Sequence, residues 1–174
     1  AASDVYKRQT SQGASTLTQQ LIKNNVFEAG GETNIIAKVK RKIQEQYLAI
    51  IAEKKYNKED ILTNYLNTIN LGKGNLGVEA ASKYYFGKSV NELTLSECAV
   101  LAGITKNPTF LNPVDYPEDN DARRKLILKK MYQLNYISDT EYQSALEDKV
   151  YARIANKTAQ GRKNSVYSYF TDAV

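Results

Sequence analysis

The 174-residue chain has no histidine, one cysteine and only three prolines. Histidine is the commonest general base and metal ligand, so its absence excludes a Ser–His–Asp triad, and the lack of a Cys/His set excludes a zinc site. No S-x-x-K sequence is present for a serine acylase. The single cysteine, Cys98, excludes an internal disulfide. Its apolar surroundings in the sequence, from Cys98 to Ala102, predict a buried and unreactive thiol.

What the chain does contain suffices for one domain with a core, because 42% of its residues are hydrophobic. The net charge of +5 suits an anionic partner, whether nucleic acid, a phospholipid surface or a phosphorylated substrate, and does not choose among them. The 13 tyrosines are scattered rather than interleaved on one basic stripe, which argues against nucleic acid. No apolar run approaches the roughly 20 residues of a membrane span, and no signal peptide is recognisable.

Helical periodicity dominates from residue 13 onward, so the predicted fold class is mainly α. We interpret residues 13–149 as one domain. Residues 1–12 form an irregular stretch that could be foreign to it, and the tyrosine-rich residues 150–174 begin a linker or a second domain. Caps, glycines and prolines divide the domain into seven predicted helices, covering about residues 16–24, 34–55, 58–69, 78–86, 95–106, 120–135 and 139–149.

A charged face on the second predicted helix is the sharpest local feature. Lys38, Arg41, Lys42 and Glu45 occupy positions i, i+3, i+4 and i+7, which share one side of a helix, while isoleucines occupy the opposite side. One interpretation is a solvated face whose ion pair is worth about 0.3–0.5 kcal/mol. The other is a site where cations neutralise a departing phosphate, and Glu45 positions a cation or acts on a proton directly.

A polar run at the start of the first predicted helix is a second candidate site, because hydroxyls and amides at a helix N-terminus bind anions or sugar hydroxyls. Helix capping by Ser15 or Thr16 is the simpler explanation but accounts for one residue only. Gln20, Lys23 and Asn24 share one face of this helix. A third feature, G-x-G-x-x-G at residues 72–77, follows a helical pattern rather than a strand, so it predicts a turn between helices rather than a dinucleotide site.

Four ordered stretches resemble the signatures of the family-51 peptidoglycan glycosyltransferases, found in class A penicillin-binding proteins and in monofunctional enzymes. Gly13–Asn24, with the sequence GASTLTQQLIKN, resembles the second signature. Arg41–Lys42–x–x–Glu45, followed by Ala49 and Glu53, resembles the third, R-K-x-x-E. The fourth signature is similar to Ile61–Asn67 together with Gly72–Lys88, and the fifth is similar to Leu95–Pro108. The likeness runs collinearly from about residue 12 to residue 149.

This resemblance implies a lysozyme-like helical domain that polymerises lipid II at the outer face of the bacterial cytoplasmic membrane and releases undecaprenyl pyrophosphate. By analogy Glu45 is a catalytic glutamate that helps the pyrophosphate depart, and Arg41 and Lys42 contact its phosphates, with Lys38 on the same face. Ser15, Thr16, Gln20, Lys23 and Asn24 line the donor site. The implied partners are lipid II, the growing glycan strand, the membrane surface and a transpeptidase domain in the parent chain. Some members use a divalent cation, Mg²⁺ or Mn²⁺, at the pyrophosphate, although no metal-ligand set is recognisable here.

The first signature, E-D-x-x-F, supplies the general base in this family and should precede Gly13. Residues 1–9 contain no glutamate, and the anchoring helix of the family is not recognisable either. We therefore expect a domain that misses its first segment. Because general acid–base help is typically worth about 10²–10⁴-fold, we expect no detectable polymerisation of lipid II by this chain.

Two alternatives remain open from the sequence. A lysozyme-like glycosidase needs a carboxyl group held protonated and usually a second carboxylate, whereas Glu45 is set among cations. A non-catalytic binder of lipid-linked glycan would use the same cations without turnover.

Overall fold

The structure is a computed structural model that describes residues 15–27 and 34–155. Within these ranges the chain forms α-helices and 3₁₀ helices, and its β-structure is limited to one bridge between Asn70 and Leu76. The prediction of a mainly α fold is thus confirmed. Helices α1 to α7 span Leu17–Val26, Ile35–Lys55, Lys58–Thr68, Val78–Phe86, Leu95–Ile104, Pro117–Gln133 and Asp139–Glu147, and the 3₁₀ helices span Val90–Glu92 and Val150–Arg153.

The chain divides into two compact units, Ala1–Thr68 and Ile69–Val174. The described part of the first unit consists of α1, α2 and α3, and both α2 and α3 pack on α1. In the second unit α5 packs on α4, α6 and α7. Among the described residues no helix is both long enough and apolar enough to cross a membrane.

The helix starts follow the predicted caps because side-chain oxygens accept hydrogen bonds from backbone N–H groups that the first turn leaves without partners. Thr16 accepts from the Gln19 amide at 3.2 Å, and Asn34 accepts from the Ile36 amide at 3.0 Å. Capping boxes are formed at Thr94 and at Ser138.

Helix α6 is the exception to these predicted starts, since it begins at Pro117 rather than at Asn120. Proline suits the first helical turn because its fixed φ is helical and its missing N–H would have no partner there. Asn120 therefore lies inside the helix, fully buried, where its amide donates to the carbonyls of Val100 and Leu111.

Helix α2 buries the carboxylate of its charged side and exposes its apolar side. Glu45 and Ala49 are its buried residues. The opposite side exposes a row of large apolar side chains, namely Ile35, Ile36, Val39, Ile43, Tyr47, Ile50 and Ile51. The interior of this unit is completed by Thr18 of α1 and by Ile61 and Tyr65 of α3. Burial of a carboxylate in preference to isoleucines needs partners for its charge, which the site supplies.

The second unit has an apolar core around Ala99, Leu128 and Ala145. The segment that follows α7 is held in this unit, since Val150 and Ile154 are buried and the Ala155 amide donates to the Tyr85 carbonyl at 2.8 Å. The predicted linker thus begins with six described residues, of which Val150 and Ile154 are buried in this unit and Ala152, Arg153 and Ala155 are exposed. Residues 156–174, like the predicted irregular stretch 1–12, lie outside the described residues.

The loop before α4 is a tight turn, as the G-x-G-x-x-G pattern predicted. Gly72, Gly74 and Gly77 all have positive φ, and so does Lys73 at 53°. The prediction of a buried thiol at Cys98 is wrong, because this side chain is exposed. Helix α5 is apolar around most of its circumference, so an apolar run there does not tell which residue faces outward.

Candidate functional site

The site on the first unit is a cation–carboxylate cluster made of Ser15, Arg41, Lys42 and Glu45. The Lys42 ammonium donates to Glu45 Oε2 at 2.9 Å and to Ser15 Oγ at 2.8 Å. Arg41 Nη1 lies 3.5 Å from Glu45 Oε1. The helical spacing of residues 41, 42 and 45 brings both cations to the carboxylate from one helix, and Ser15 reaches Lys42 from the segment that leads into α1.

The members of this cluster differ in how far their side chains are buried. The Glu45 side chain is 1% exposed, whereas those of Arg41 and Lys42 are 21% and 44% exposed. The carboxylate therefore lies beneath its cations, which face outward from it. A buried carboxylate costs several kcal/mol unless cations and hydrogen bonds compensate it, so Glu45 and the two cations form one interdependent unit. An anion at the surface would meet the cations first.

The set of cations predicted around Glu45 on α2 is corrected. Lys38 is exposed and forms no ion pair among the described residues, so the carboxylate has two cationic neighbours rather than three. The reason is distance, because Lys38 lies two helical turns before Glu45. Ala49 continues the side of α2 that contains Glu45, and it is 3% exposed within the packed unit, so no open groove lies there.

The polar run before and within α1 divides into three roles. Ser15 joins the cluster, and Thr16 caps α1. Gln20 bridges inward, since its Nε2 donates to the Ser15 carbonyl at 3.4 Å and its Oε1 accepts from the Tyr65 hydroxyl at 3.3 Å. Lys23 and Asn24 are exposed on the later turns of α1, and within the described residues no hydrogen bond or ion pair joins them to the cluster.

Tyr65 is the residue that sequence reasoning missed at this site. It lies 45 positions from Gln20, so no local pattern could have paired the two. The available signal was its place in the stretch that resembles the fourth signature. Burial raises the pKa of Tyr65, which keeps its phenol neutral and able to donate at neutral pH.

The donor atoms of the cluster do not suit a protein-held divalent cation. Mg²⁺ and Mn²⁺ take several oxygen ligands, usually with more than one carboxylate or a substrate phosphate among them. Glu45 is the one carboxylate of the cluster, and it is flanked by two cations. Within the described ranges no three acidic, histidine or cysteine side chains come together in a metal-binding group. The charge that the cluster offers to an anion is therefore that of Arg41 and Lys42.

The likeness to known proteins is extensive. Penicillin-binding protein 1A of Clostridium acetobutylicum is 42% identical over an alignment of 174 positions, which covers 97% of this chain and 21% of that protein. Penicillin-binding protein 1A of Haemophilus influenzae is 46% identical over 142 residues, or 82% of this chain and 16% of that protein. The chain thus spans about a fifth of the length of the curated relatives it matches.

A solved structure agrees with the predicted lysozyme-like helical fold. The crystal structure of penicillin-binding protein 1A from Haemophilus influenzae superimposes with a TM-score of 0.53 at 46% identity, covering 55% of this chain and 14% of that one. A family model described as "Transglycosylase" matches residues 1–132, three quarters of the sequence. The chain therefore belongs to the transglycosylase family.

Proposed function

We propose that this chain carries the leaving-group half of a peptidoglycan glycosyltransferase site, which polymerises lipid II and releases undecaprenyl pyrophosphate. The observation that carries the proposal is the cation–carboxylate cluster, in which Lys42 and Arg41 face outward over the buried Glu45. Membership of the transglycosylase family supports the reaction class.

In the proposed reaction, the 4-hydroxyl of an acceptor N-acetylglucosamine attacks C1 of the donor N-acetylmuramic acid. A new C1–O bond forms as the bond from C1 to the phosphate oxygen breaks, and its electron pair leaves with undecaprenyl pyrophosphate. The hydroxyl proton goes to a general base, for which the cluster offers no candidate, because Glu45 is buried and engaged with its cations. By resemblance, this base is the glutamate of the first signature.

The cluster stabilises the charge that develops on the departing phosphate. The Lys42 ammonium has three N–H donors, of which two go to Ser15 and Glu45, so one remains for a phosphate oxygen. Arg41 adds a second positive charge beside it. Because these cations are fixed before the reaction, they stabilise the transition state without reorganising. Glu45 is thereby a positioning residue, which holds both cations through its buried carboxylate.

The remaining predicted residues complete the donor site in this proposal. Ser15, Thr16 and Gln20 surround the N-terminus of α1, which favours anions and sugar hydroxyls. Lys23, Asn24 and Lys38 are exposed and carry the contacts to the distal phosphate and the sugar. A divalent cation, if used, arrives on the pyrophosphate. The proposed setting is the outer face of the cytoplasmic membrane, with the glycan strand as partner and a transpeptidase domain elsewhere in the parent chain.

Binding of undecaprenyl pyrophosphate in detergent micelles tests the site on the chain itself. We expect Lys42→Ala to weaken binding about tenfold, because it removes a charge-assisted hydrogen bond. The matched control is Lys54→Ala, an exposed lysine of the same helix that makes the same change of charge. Equal losses in the two variants would reduce the site to general electrostatics and contradict the proposal.

Turnover is tested in a chimera, in which the matching part of this chain replaces the corresponding segment of the Clostridium acetobutylicum relative. We expect the chimera to polymerise labelled lipid II and Glu45→Gln to abolish most of that activity. The chain alone should bind without polymerising, since it contains no E-D-x-x-F sequence. The chimera could instead bind lipid II equally well with and without Glu45→Gln and never polymerise it. That outcome would contradict the proposal and identify this part of the protein as a non-catalytic binder of lipid-linked glycan.

A further inference from the structure

We propose that Tyr65 is a positioning residue for the pyrophosphate site, acting through Gln20 and Ser15 on the Lys42 ammonium. The inference rests on the proposed function of the cluster and adds a residue from α3, which is otherwise remote from it. The hydrogen bonds run from the Tyr65 hydroxyl to Gln20 Oε1, and from Gln20 Nε2 to the Ser15 carbonyl.

The first link is set by the protonation of Tyr65. Its side chain is 7% exposed, and burial raises the pKa of the phenol, so the hydroxyl keeps its proton throughout the neutral range. The hydroxyl lies 3.3 Å from Gln20 Oε1, an atom that only accepts. A phenylalanine of the same shape would fill the same space and could not make this bond.

The second link follows from the two different ends of the Gln20 amide. When Tyr65 donates to Oε1, Nε2 is turned toward the Ser15 carbonyl, 3.4 Å away, and donates to it. The reversed amide would set two acceptors against each other at Ser15. Both bonds are long, so they add little stability. The Ser15 carbonyl, which only accepts, selects the orientation of the amide, and the Tyr65 hydroxyl holds the other end of that amide in place.

The third link carries this orientation to the cation. Ser15 lies immediately before the N-cap residue of α1, and its side chain accepts from Lys42 Nζ at 2.8 Å. Fixing the Ser15 carbonyl therefore fixes the residue whose hydroxyl directs one N–H of Lys42, while Glu45 directs another. The third N–H is then aimed rather than free to rotate, which is what a phosphate oxygen needs for a well-aligned bond.

The competing explanation is that Tyr65 only fills the interior of the first unit, where Ile61 and Ala49 are also buried. Packing would be kept by Tyr65→Phe, which removes one oxygen atom. If Tyr65→Phe keeps the melting temperature of the unsubstituted chain, the packing explanation predicts unchanged pyrophosphate binding. The positioning role predicts weaker binding.

The experiment measures binding of undecaprenyl pyrophosphate in micelles by four forms of the full chain: unsubstituted, Tyr65→Phe, Gln20→Met and the double variant. We expect Tyr65→Phe to weaken binding about threefold to fivefold in the unsubstituted background and to have no further effect once Gln20 is methionine, because the link is already cut. The control is Tyr47→Phe, which removes the hydroxyl of an exposed tyrosine on α2 and should leave binding unchanged.

A second measurement needs no ligand. In ¹⁵N–¹H spectra we expect Tyr65→Phe to shift the side-chain amide signals of Gln20 and to speed their hydrogen exchange, and Tyr47→Phe to do neither. Two outcomes would overturn this inference alone. One is that the unsubstituted chain binds and Tyr65→Phe leaves its affinity unchanged, and the other is that the effects of Tyr65→Phe and Gln20→Met on binding are additive. Failure of the unsubstituted chain to bind would instead overturn the proposed function.

Discussion

At the scale of single residues, Glu45 shows how a buried charge ties a site together. Its carboxylate is 1% exposed, and its neighbours are the Lys42 ammonium at 2.9 Å and the Arg41 guanidinium at 3.5 Å. An unpaired carboxylate in such a place would lose its hydration without compensation. The stability of the first unit and the positions of the two cations are consequently linked through one side chain.

The linkage predicts a rescue. Replacing both cations in Arg41→Met/Lys42→Met should lower the free energy of unfolding by about 3 kcal/mol, because Glu45 is left buried without its cationic neighbours. Adding Glu45→Gln to this double variant should restore most of the loss, since the uncompensated charge is gone. Urea denaturation at pH 7 measures both effects, and a triple variant no more stable than the double one would refute the linkage.

At the scale of elements, the loop of residues 70–77 needs glycines for two different reasons, its backbone conformation and its close packing. Gly72 and Gly74 both adopt the left-handed region, with φ of 79° and 77°. A Cβ on Gly72 would lie 2.7 Å from the Pro108 carbonyl oxygen, whereas a Cβ on Gly74 would meet no atom within 4 Å. The backbone conformation is thus required at both positions, but close packing only at Gly72.

These two glycines form a matched pair for a stability measurement. Gly74→Ala should cost about 1 kcal/mol, the strain of an L-residue in the left-handed region. Gly72→Ala should cost about 1–3 kcal/mol more, because the contact is with backbone and cannot be relieved by a side-chain rotation. Equal unfolding free energies of the two variants in urea would contradict the close packing at Gly72.

At the scale of the whole molecule, acid stability depends on a buried glutamate of the second unit. Glu97 is fully buried and accepts from Lys88 Nζ at 2.8 Å, from the Thr94 amide at 2.8 Å and from Arg153 Nε at 2.9 Å. Burial alone would raise the pKa of Glu97, but these hydrogen bonds and the charge of Lys88 outweigh it and hold the pKa below 4.5. Asp121 and Asp148 have lowered pKa values as well, where bonds from neighbouring cations exceed the effect of burial.

The direction of the pH effect follows from that lowered pKa. As the pH falls, the Glu97 carboxylate is protonated near pH 4.5 in the unfolded chain and only at lower pH in the folded chain. Its contribution to the free energy of unfolding is therefore complete above that pH and is lost as the pH falls through the pKa of the folded chain. Glu97→Gln should lower the free energy of unfolding at pH 7 and make its decline between about pH 5 and pH 3 less steep. The decline should not vanish, because Asp121 and Asp148 still titrate.

The control for this measurement is Glu147→Gln, an exposed residue at the end of α7. Urea denaturation across this pH range should give it the profile of the unsubstituted chain. An unchanged acid decline in Glu97→Gln would remove Glu97 from the explanation.

The sequence alone determined the helices, because their signals are local. Caps such as Thr16, Asn34 and Thr94 lie within three residues of the amide they bind, and Gly87 ends α4 in the left-handed conformation. The pairing of Arg41 and Lys42 with Glu45 was likewise predictable, since one helical turn joins them. Resemblance of ordered signatures identified the family for the same reason, as it depends on residue order.

Only the tertiary structure decided which side of each element is buried and which distant residues meet. The pattern of α2 could not show that Glu45 lies inside and Ile43 outside, and the apolar run of α5 could not show that Cys98 is exposed. Packing of α3 on α1 brings the Tyr65 hydroxyl to Gln20, 45 positions away in the sequence. Such contacts join residues tens of positions apart, and their free energy depends on what surrounds each side chain in space, which no local pattern encodes.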